Sequence, residues 1–127
     1  MIKRISSYTE KDAAKQRVQR LRHPERFALR NRRAKLRLAY GLTVKGYETL
    51  FVSQNGVCAI CHNPETTQHK HRAKPLRLSV DHNHRTRQVR GLLCRQCNAA
   101  IGYLQDSSLR ALAAAAYLEK HATFERG

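Results

Sequence analysis

The chain contains few acidic residues and no long apolar segment. Nine Asp and Glu residues oppose 25 Lys and Arg among 127 residues, which gives a formal net charge of +16 with neutral histidines. Such an excess of positive charge indicates an anionic binding partner and says little about the fold. Nucleic acid is the first candidate for that partner, and an anionic membrane surface is the alternative. No apolar run approaches the roughly 18 residues of a membrane span, and Met1-Ile2-Lys3-Arg4 begins no hydrophobic signal core. We therefore expect a cytoplasmic protein without a membrane partner.

The basic residues are concentrated in the first third of the chain. Residues 1–45 contain 14 Lys and Arg against 3 acids, a net +11, whereas residues 46–127 contain 11 against 6. The total length suits one domain with at most one appendage. We predict a basic helical arm over residues 1–41, which binds DNA, and a compact domain over residues 42–127.

Capping residues, prolines and hydrophobic periodicity predict a small α+β fold. The predicted helices run from Thr9 to about Leu21, from Pro24 to about Tyr40, over about 44–54, from Asn98, and after Ser107; the strands cover about 76–80 and 89–93. A turn from Asp81 to Arg87 joins the strands, and residues 58–75 form a loop. Few strands and several helices leave a small apolar core, which a structural metal ion would stabilise.

Four cysteines in two Cys-x-x-Cys pairs have the spacing of a tetrahedral zinc site: Cys58, Cys61, Cys94 and Cys97. Each turn supplies two thiolates, and two turns complete the coordination shell without an open position, so the predicted Zn²⁺ is structural. Two redox pairs or four buried thiols are the alternatives. In a cytosolic protein the pattern favours metal over disulfides. We interpret the three loop histidines as solvated side chains: His62, His69 and His71.

An acid, two histidines and an amide lie between the cysteine pairs or directly after the second pair. The carboxylate of Asp81 and the amide oxygen of Asn98 are the kind of ligand that a hard divalent cation prefers. A neutral imidazole of His82 or His84 can accept the proton of a water molecule near pH 7. Such groups together can hydrolyse a phosphodiester. Asp-His-Asn is also common in turns, and Asn98 suits a helix cap, so the residues alone leave catalytic and structural roles open.

Three segments resemble the recombination endonuclease VII family, which comprises phage nucleases of the HNH, or ββα-metal, superfamily. They are Cys58-Ala-Ile-Cys61, Leu78-Ser-Val-Asp81-His82-Asn83-His84, and Val89-Arg90-Gly91-Leu92-Leu93-Cys94-Arg-Gln-Cys97-Asn98. The resemblance covers about residues 40–120 and includes Tyr40-Gly41-Leu42-Thr43, Gly102-Tyr-Leu-Gln-Asp106 and Ala116-Tyr117-Leu118.

The resemblance implies a fold and a set of residue roles. A short β-hairpin and a helix would hold a catalytic metal, with the zinc-binding cysteines beneath. Asp81 and Asn98 would bind catalytic Mg²⁺ or Mn²⁺, His82 would be the general base, and His84 would assist at the phosphate. The implied function is a metal-dependent DNA endonuclease, phage-encoded and acting in the host bacterial cytoplasm.

One position departs from the family pattern. Ile101 stands where the best-known member carries an acidic residue, three positions beyond the active-site asparagine. We therefore expect nicking or double-strand cleavage of duplex DNA, with branched DNA as a further possible substrate.

Nine arginines are predicted to contact DNA. Four recur at helical spacing as one stripe on the second helix: Arg26, Arg30, Arg33 and Arg37. Five others lie within or just before the Asp81–Asn98 segment and are expected to surround the site: Arg77, Arg85, Arg87, Arg90 and Arg95. Contacts to phosphate position the duplex without reading its sequence, so low sequence specificity is expected. The alternative function is a non-catalytic zinc-ribbon module that binds nucleic acid; RNA as the substrate and a monomer or homodimer both stay open.

Overall fold

The computed structural model describes residues 9–122, which form five helices and one two-stranded sheet. The elements are α1 (Glu10–Arg22), α2 (Pro24–Tyr40), α3 (Val44–Ser53), β1 (Ser79–His82), β2 (Val89–Leu93), α4 (Arg95–Tyr103) and α5 (Ser108–His121). The chain divides between Val44 and Lys45 into two compact units. Residues 1–8 of the predicted arm and residues 123–127 of the predicted domain lie outside the described residues. The α+β fold class is as the sequence predicts.

The two helices of the first unit begin and end at the residues that the sequence indicates. Thr9 closes a capping box, because its Oγ1 accepts from the Asp12 N–H at 3.3 Å and its own N–H donates to Asp12 Oδ2 at 3.0 Å. Pro24 opens α2, and Gly41 ends it in the left-handed conformation with φ of 63°. The Gly41 N–H donates to the Arg37 carbonyl at 2.9 Å, so the end of α2 is a left-handed cap.

One cation–π contact, from Arg20 to Phe27, joins α1 to α2, and a second, from Arg30 to Phe27, lies within α2. The guanidinium groups of Arg20 and Arg30 lie 4.8 and 4.3 Å from the centroid of the Phe27 ring. Contacts of this kind contribute about 0.5–1 kcal/mol each at exposed sites. α1 has no buried residue, and Leu21 is 77% exposed. Burial of apolar side chains therefore contributes little to the stability of α1.

The sheet of the second unit is an antiparallel hairpin. Val80 pairs with Leu92 and Asp81 with Gly91, but the next pair is His82 with Val89, so Arg90 is the extra residue of a β-bulge. The buried apolar side chains of this unit lie in the hairpin and next to it: Tyr47, Cys58, Leu78, Val80, Leu92, Leu93 and Cys94. α4 packs against both strands. The hairpin is therefore the centre of the small core.

Gln54, immediately after α3, takes the place of a neighbouring strand beside β2. Its Oε1 accepts from the Leu92 N–H at 2.9 Å, and its Nε2 donates to the Leu92 carbonyl at 2.9 Å. A Cβ atom at Gly91 would lie 3.2 Å from Gln54 Oε1, so glycine allows the close approach. The Tyr47 hydroxyl similarly donates to the Leu78 carbonyl at 2.6 Å. These side chains satisfy buried backbone groups that the two-stranded sheet leaves without partners.

Three predictions about local structure are wrong. The first strand covers Ser79–His82 rather than 76–80, because the Leu76 N–H donates instead to the Thr67 carbonyl in the loop. Asp81 and His82 therefore belong to β1 and not to the turn; the carboxylate of Asp81 is tolerated in a buried strand because Arg90 neutralises it. The fourth helix begins at Arg95 rather than Asn98, since Cys94 Sγ accepts from the Cys97 N–H at 3.4 Å and acts as the N-cap.

The apolar side chains of the last helix are largely exposed. α5 begins after Ser107, whose hydroxyl accepts from the Arg110 N–H at 3.2 Å, as predicted. Leu109, Leu112 and Tyr117 are 77, 67 and 65% exposed. Within residues 9–122, no helix is both long enough and apolar enough to span a bilayer.

Replacing Gln54 with alanine should lower the free energy of unfolding by about 1–3 kcal/mol, because the Leu92 N–H and carbonyl lose their partner. Urea denaturation of the zinc-loaded protein measures this loss. Gln88→Ala is the matched control, since Gln88 is exposed in the hairpin turn and its substitution should change the free energy by less than about 0.5 kcal/mol. Equal losses in the two variants would contradict the role assigned to Gln54.

Candidate functional site

The sulfur atoms of the two cysteine pairs converge on one point. Cys58 and Cys61 lie in the turn after α3, where the His62 N–H donates to the Cys58 carbonyl at 3.0 Å. Cys94 and Cys97 lie at the junction of β2 and α4. All four sulfur atoms lie within 4.8 Å of one another, and among the described residues no other His, Cys, Asp or Glu belongs to this group. The spacing predicted from the sequence therefore corresponds to one compact cluster of thiols.

The distances within the cluster fit a tetrahedral zinc ion. The sulfur atoms of Cys61 and Cys94 are 3.8 Å apart, and four ligands at about 2.3 Å from zinc place neighbouring sulfurs about 3.8 Å apart. The same distance is far longer than the roughly 2.05 Å of a disulfide bond, and none of the four cysteines is in a disulfide. The donor set of four thiols suits a soft or borderline cation and leaves no open coordination position.

The thiols have divergent acidities. Burial opposes ionisation of Cys58, but backbone N–H donors from Cys61, Cys94 and Ile60 outweigh it and lower the pKa of Cys58 to about 6. Burial and the neighbouring sulfurs raise the pKa of Cys97 to about 12. Four adjacent negative charges are unfavourable without a cation, so metal binding must release protons from the cluster.

Glu65 attaches the long loop to the second cysteine pair, a contact that the sequence analysis missed. Its Oε2 accepts from the Arg95 N–H at 2.6 Å, and its Oε1 accepts from the Thr67 N–H at 2.8 Å. Burial opposes ionisation, but the hydrogen bonds from Thr67 and Arg95 lower the pKa of Glu65. The carboxylate also lies at the N-terminus of α4, where negative charge is favourable. Thirty residues separate Glu65 from Arg95, and no local pattern indicates the contact.

Asp81 forms a bidentate ion pair with the arginine of the β-bulge. Nε of Arg90 donates to Asp81 Oδ2 at 2.7 Å, and Nη2 donates to Oδ1 at 2.9 Å. The Asp81 side chain is 11% exposed and that of Arg90 is 38% exposed. Nη2 of Arg90 also donates to Asp106 Oδ1 at 3.4 Å. The hydrogen bonds to Asp81 raise the pKa of Arg90 further, so the guanidinium stays charged.

The two predicted catalytic histidines lie side by side at the end of the hairpin. The ring centroids of His82 and His84 are 4.7 Å apart. Asn83, between them, holds the turn, because its Oδ1 accepts from the Arg85 and Thr86 N–H groups at 2.8 and 3.1 Å. Nε2 of His84 lies 3.9 Å from Asp106 Oδ2. The Asx turn at Asn83 thus leaves the His84 ring against that of His82 and close to the Asp106 carboxylate.

Asn98 lies in α4, one residue after Cys97. It is half-buried, and its N–H donates to the Cys94 carbonyl at 3.0 Å. Asp81 and Asn98 are therefore located on β1 and α4, two elements that pack against each other. The hairpin determines the position of Asp81, and the cysteine cluster at the start of α4 determines the position of Asn98.

A groove of about 470 Å³ opens beside His84. The residues that line this hairpin groove are Asn83, His84, Arg85, Arg90, Gly102, Gln105 and Asp106. Asp106 belongs to the Gly102–Asp106 segment, and nothing in the sequence assigns it a role at the site. Gln105 and Asp106 have left-handed backbone conformations with φ of 55° and 54°, which is unfavourable for L-residues. The turn between α4 and α5 thereby places the Asp106 carboxylate against Arg90 and His84.

The predicted DNA-contacting arginines lie in both units. The four of the stripe are exposed on α2. Arg26 and Arg30 also line a cleft of about 410 Å³ with Gln16, Gln19, His23 and Phe27. In the second unit Arg77, Arg85, Arg87 and Arg95 are exposed. Nη1 of Arg77 lies 3.8 Å from Glu48 Oε1, and Arg90 pairs with Asp81.

The chain is similar to an endonuclease family and to two phage proteins. The sequence model described as recombination endonuclease VII matches residues 33–120. The Gene 59 protein of Mycobacterium phage D29 is 40% identical over 82 residues, which cover 64% of this chain and 46% of that protein. The Gene 59 protein of Mycobacterium phage L5 is 41% identical over 68 residues, which cover 53% of this chain and 37% of that protein.

The chain thus spans less than half the length of these two curated relatives. The family match nevertheless covers well over half of the chain, and it includes both cysteine pairs and the whole segment from Asp81 to Asn98. The chain belongs to the recombination endonuclease VII family.

Proposed function

We propose that the protein is an HNH-type, metal-dependent endonuclease that hydrolyses phosphodiester bonds in DNA. The observation that carries this proposal is the hairpin site, where Asp81, His82 and His84 lie together on an element that packs against the helix bearing Asn98. The family to which the chain belongs supports a phage nuclease acting on DNA. Its place of action is then the host bacterial cytoplasm.

The donor set of the site fits a hard divalent cation. Asp81 supplies a carboxylate and Asn98 an amide oxygen, both of which Mg²⁺ and Mn²⁺ prefer. A single cation held by these two residues would supply positive charge for the phosphate and for the leaving 3′ oxygen. His82 accepts the proton of the attacking water, and the more exposed His84 contacts the phosphate.

The four cysteines hold a structural zinc ion in this proposal. The cluster ties the turn after α3 to the start of α4. Because Cys97 precedes Asn98 directly, the same ion positions a ligand of the catalytic cation without taking part in the reaction. Zinc and the catalytic cation differ in ligand preference, since the first site offers sulfur and the second offers oxygen.

We propose further that residues 1–41 are a DNA-binding arm and residues 42–127 the nuclease domain. The arginine stripe of α2 is exposed and regularly spaced, which suits contacts with successive phosphates. Arg77, Arg85, Arg87 and Arg95 contact the strand near the site, and Arg90 joins them only where it leaves Asp81. The substrate is duplex or branched DNA, cut by nicking or by double-strand cleavage, and the protein acts as a monomer or homodimer.

The second candidate function is a non-catalytic zinc-ribbon module that binds nucleic acid. One observation favours it: Arg90 occupies both carboxylate oxygens of Asp81, and a binding module gains stability from such a pair without needing a cation. The net charge of +16 supports nucleic-acid binding under either function.

Replacing His82 with alanine should lower the rate of plasmid cleavage by about 10²–10⁴-fold, the contribution expected of a general base. The assay follows conversion of supercoiled plasmid to relaxed or linear DNA with Mg²⁺ or Mn²⁺, beside a chelator control. His71→Ala is the matched control, because His71 is exposed in the loop and should cut like the unmodified protein. If the unmodified protein binds DNA yet cuts neither plasmid nor branched DNA, the zinc-ribbon module becomes the better account.

Removal of zinc should unfold the second unit, because binding free energies of structural zinc reach about 10–16 kcal/mol in small modules. Elemental analysis should find one zinc per chain, and a strong zinc chelator should abolish cooperative thermal unfolding measured by circular dichroism. Restoring zinc is the control. Since binding requires thiolates, zinc affinity should fall as pH falls through the pKa values of the cysteines. A chelated protein that keeps its unfolding transition would show that the cluster is not a structural zinc site.

Replacing the four stripe arginines with glutamine (Arg26→Gln, Arg30→Gln, Arg33→Gln, Arg37→Gln) should weaken DNA binding and its salt dependence. Each lost phosphate contact reduces the slope of log K against log salt by about 0.9. The matched control replaces the same four residues with lysine, which keeps the charges and should keep the slope. Fluorescence anisotropy of labelled duplex over a salt series measures both. Unchanged binding of the glutamine variant at every salt concentration would refute the arm's role.

A further inference from the structure

Arg90 owes its position to the β-bulge. The register passes from Asp81 opposite Gly91 to His82 opposite Val89, so Arg90 has no partner residue of its own on β1. A bulge redirects the side chain of the extra residue, and here the guanidinium meets the carboxylate of Asp81, on the neighbouring strand. Without the bulge, the side chains on the turn side of Gly91 would each point to the opposite face of the sheet.

The guanidinium of Arg90 lies between two carboxylates. It holds Asp81 by two hydrogen bonds of 2.7 and 2.9 Å, and the same Nη2 reaches Asp106 at a longer 3.4 Å. The Asp106 carboxylate is held in place by its backbone, since its N–H donates to the Ile101 carbonyl at 2.9 Å. A second acceptor is thus available to Arg90 at a distance that a small rotation of the side chain would close.

The pairing conflicts with binding of a cation by Asp81. Both oxygens of Asp81 accept from Arg90, and a divalent cation next to a guanidinium on the same carboxylate would experience strong repulsion. Asp81 is nearly buried and fixed in β1, whereas Arg90 is 38% exposed and borders the hairpin groove. The arginine is therefore the partner that is free to move.

We propose that Arg90 is a displaceable counter-ion of the metal site. It neutralises Asp81 while the divalent cation is absent, and Asp106 receives its guanidinium when the cation binds. Asp106 is then a positioning residue, which acts on the metal site through Arg90 and touches neither cation nor substrate. This inference rests on the proposed function, because it assigns Asp81 as a ligand of the catalytic cation.

The test is a titration of the zinc-loaded full chain with Mn²⁺ in the absence of DNA, followed by the electron paramagnetic resonance signal of free Mn²⁺. Arg90→Gln should bind Mn²⁺ about tenfold more tightly, the factor expected when a competing charge-assisted pair is removed. Arg85→Gln is the matched control: it removes one positive charge from the same groove, leaves Asp81 paired, and should tighten binding by less than about threefold.

Asp106 requires a double-mutant cycle. Asp106→Asn should weaken Mn²⁺ binding in the unmodified background, because displaced Arg90 loses its acceptor. In the Arg90→Gln background the same substitution should have no effect, since no guanidinium is left to receive. Equal weakening in both backgrounds would mean that Asp106 acts through its own charge, which would overturn its role as a positioning residue.

The outcomes separate this inference from the proposed function. Asp81→Asn should abolish the Mn²⁺ site; if no Asp81-dependent binding exists, both the metal-dependent function and the counter-ion role of Arg90 fail. If binding depends on Asp81 but Arg90→Gln binds no more tightly than Arg85→Gln, the counter-ion role alone is overturned. Should Arg90→Gln not fold, Arg90→Lys replaces it: a lysine keeps the charge but loses the bidentate geometry, and a smaller tightening is expected.

Discussion

The convergence of four thiol sulfurs within 4.8 Å is the constraint on which the second unit depends. The apolar core around the hairpin is small, and α5 adds no buried residue to it. A core of that size stabilises a domain poorly without a cross-link. The cysteine cluster joins the turn after α3 to the end of β2 and the start of α4. It therefore holds α4, which carries Asn98, and β2, the partner of the strand that carries Asp81, at one point of attachment.

The hairpin combines apolar packing and polar chemistry by dividing them along its length. Val80, Leu92 and Leu93 are buried near the cysteines. His82 and His84 lie at the other end, where His84 lines the groove. Side chains satisfy the backbone that a two-stranded sheet leaves unpaired: Gln54 beside Leu92, and Asn83 in the turn. Because Asn83 is polar and bonds to backbone groups within its own turn, the end of the hairpin keeps its shape without being buried.

Local signals predicted the helices of the first unit well because capping is a local interaction. Thr9 with Asp12, Pro24 and Gly41 act within a few residues of the helix ends that they determine. Prediction was poorer near the site for the opposite reason. Its sequence neighbours place Asp81 in a turn, but Arg90, nine positions away, neutralises its charge and allows it to lie in a strand. Asn98 has the side chain of a helix cap, but the N-cap of α4 is Cys94.

By itself, the sequence determined the fold class, the bounds of α1, α2 and β2, and the grouping of four cysteines, because helix caps and Cys-x-x-Cys turns are short-range features. Only the tertiary structure decided the partners of individual side chains. The bulge that turns Arg90 toward Asp81, the contact of Glu65 with the start of α4, and the approach of Asp106 to His84 join residues far apart in the chain. Such contacts depend on how strands and helices pack, and no local pattern of residues encodes that packing.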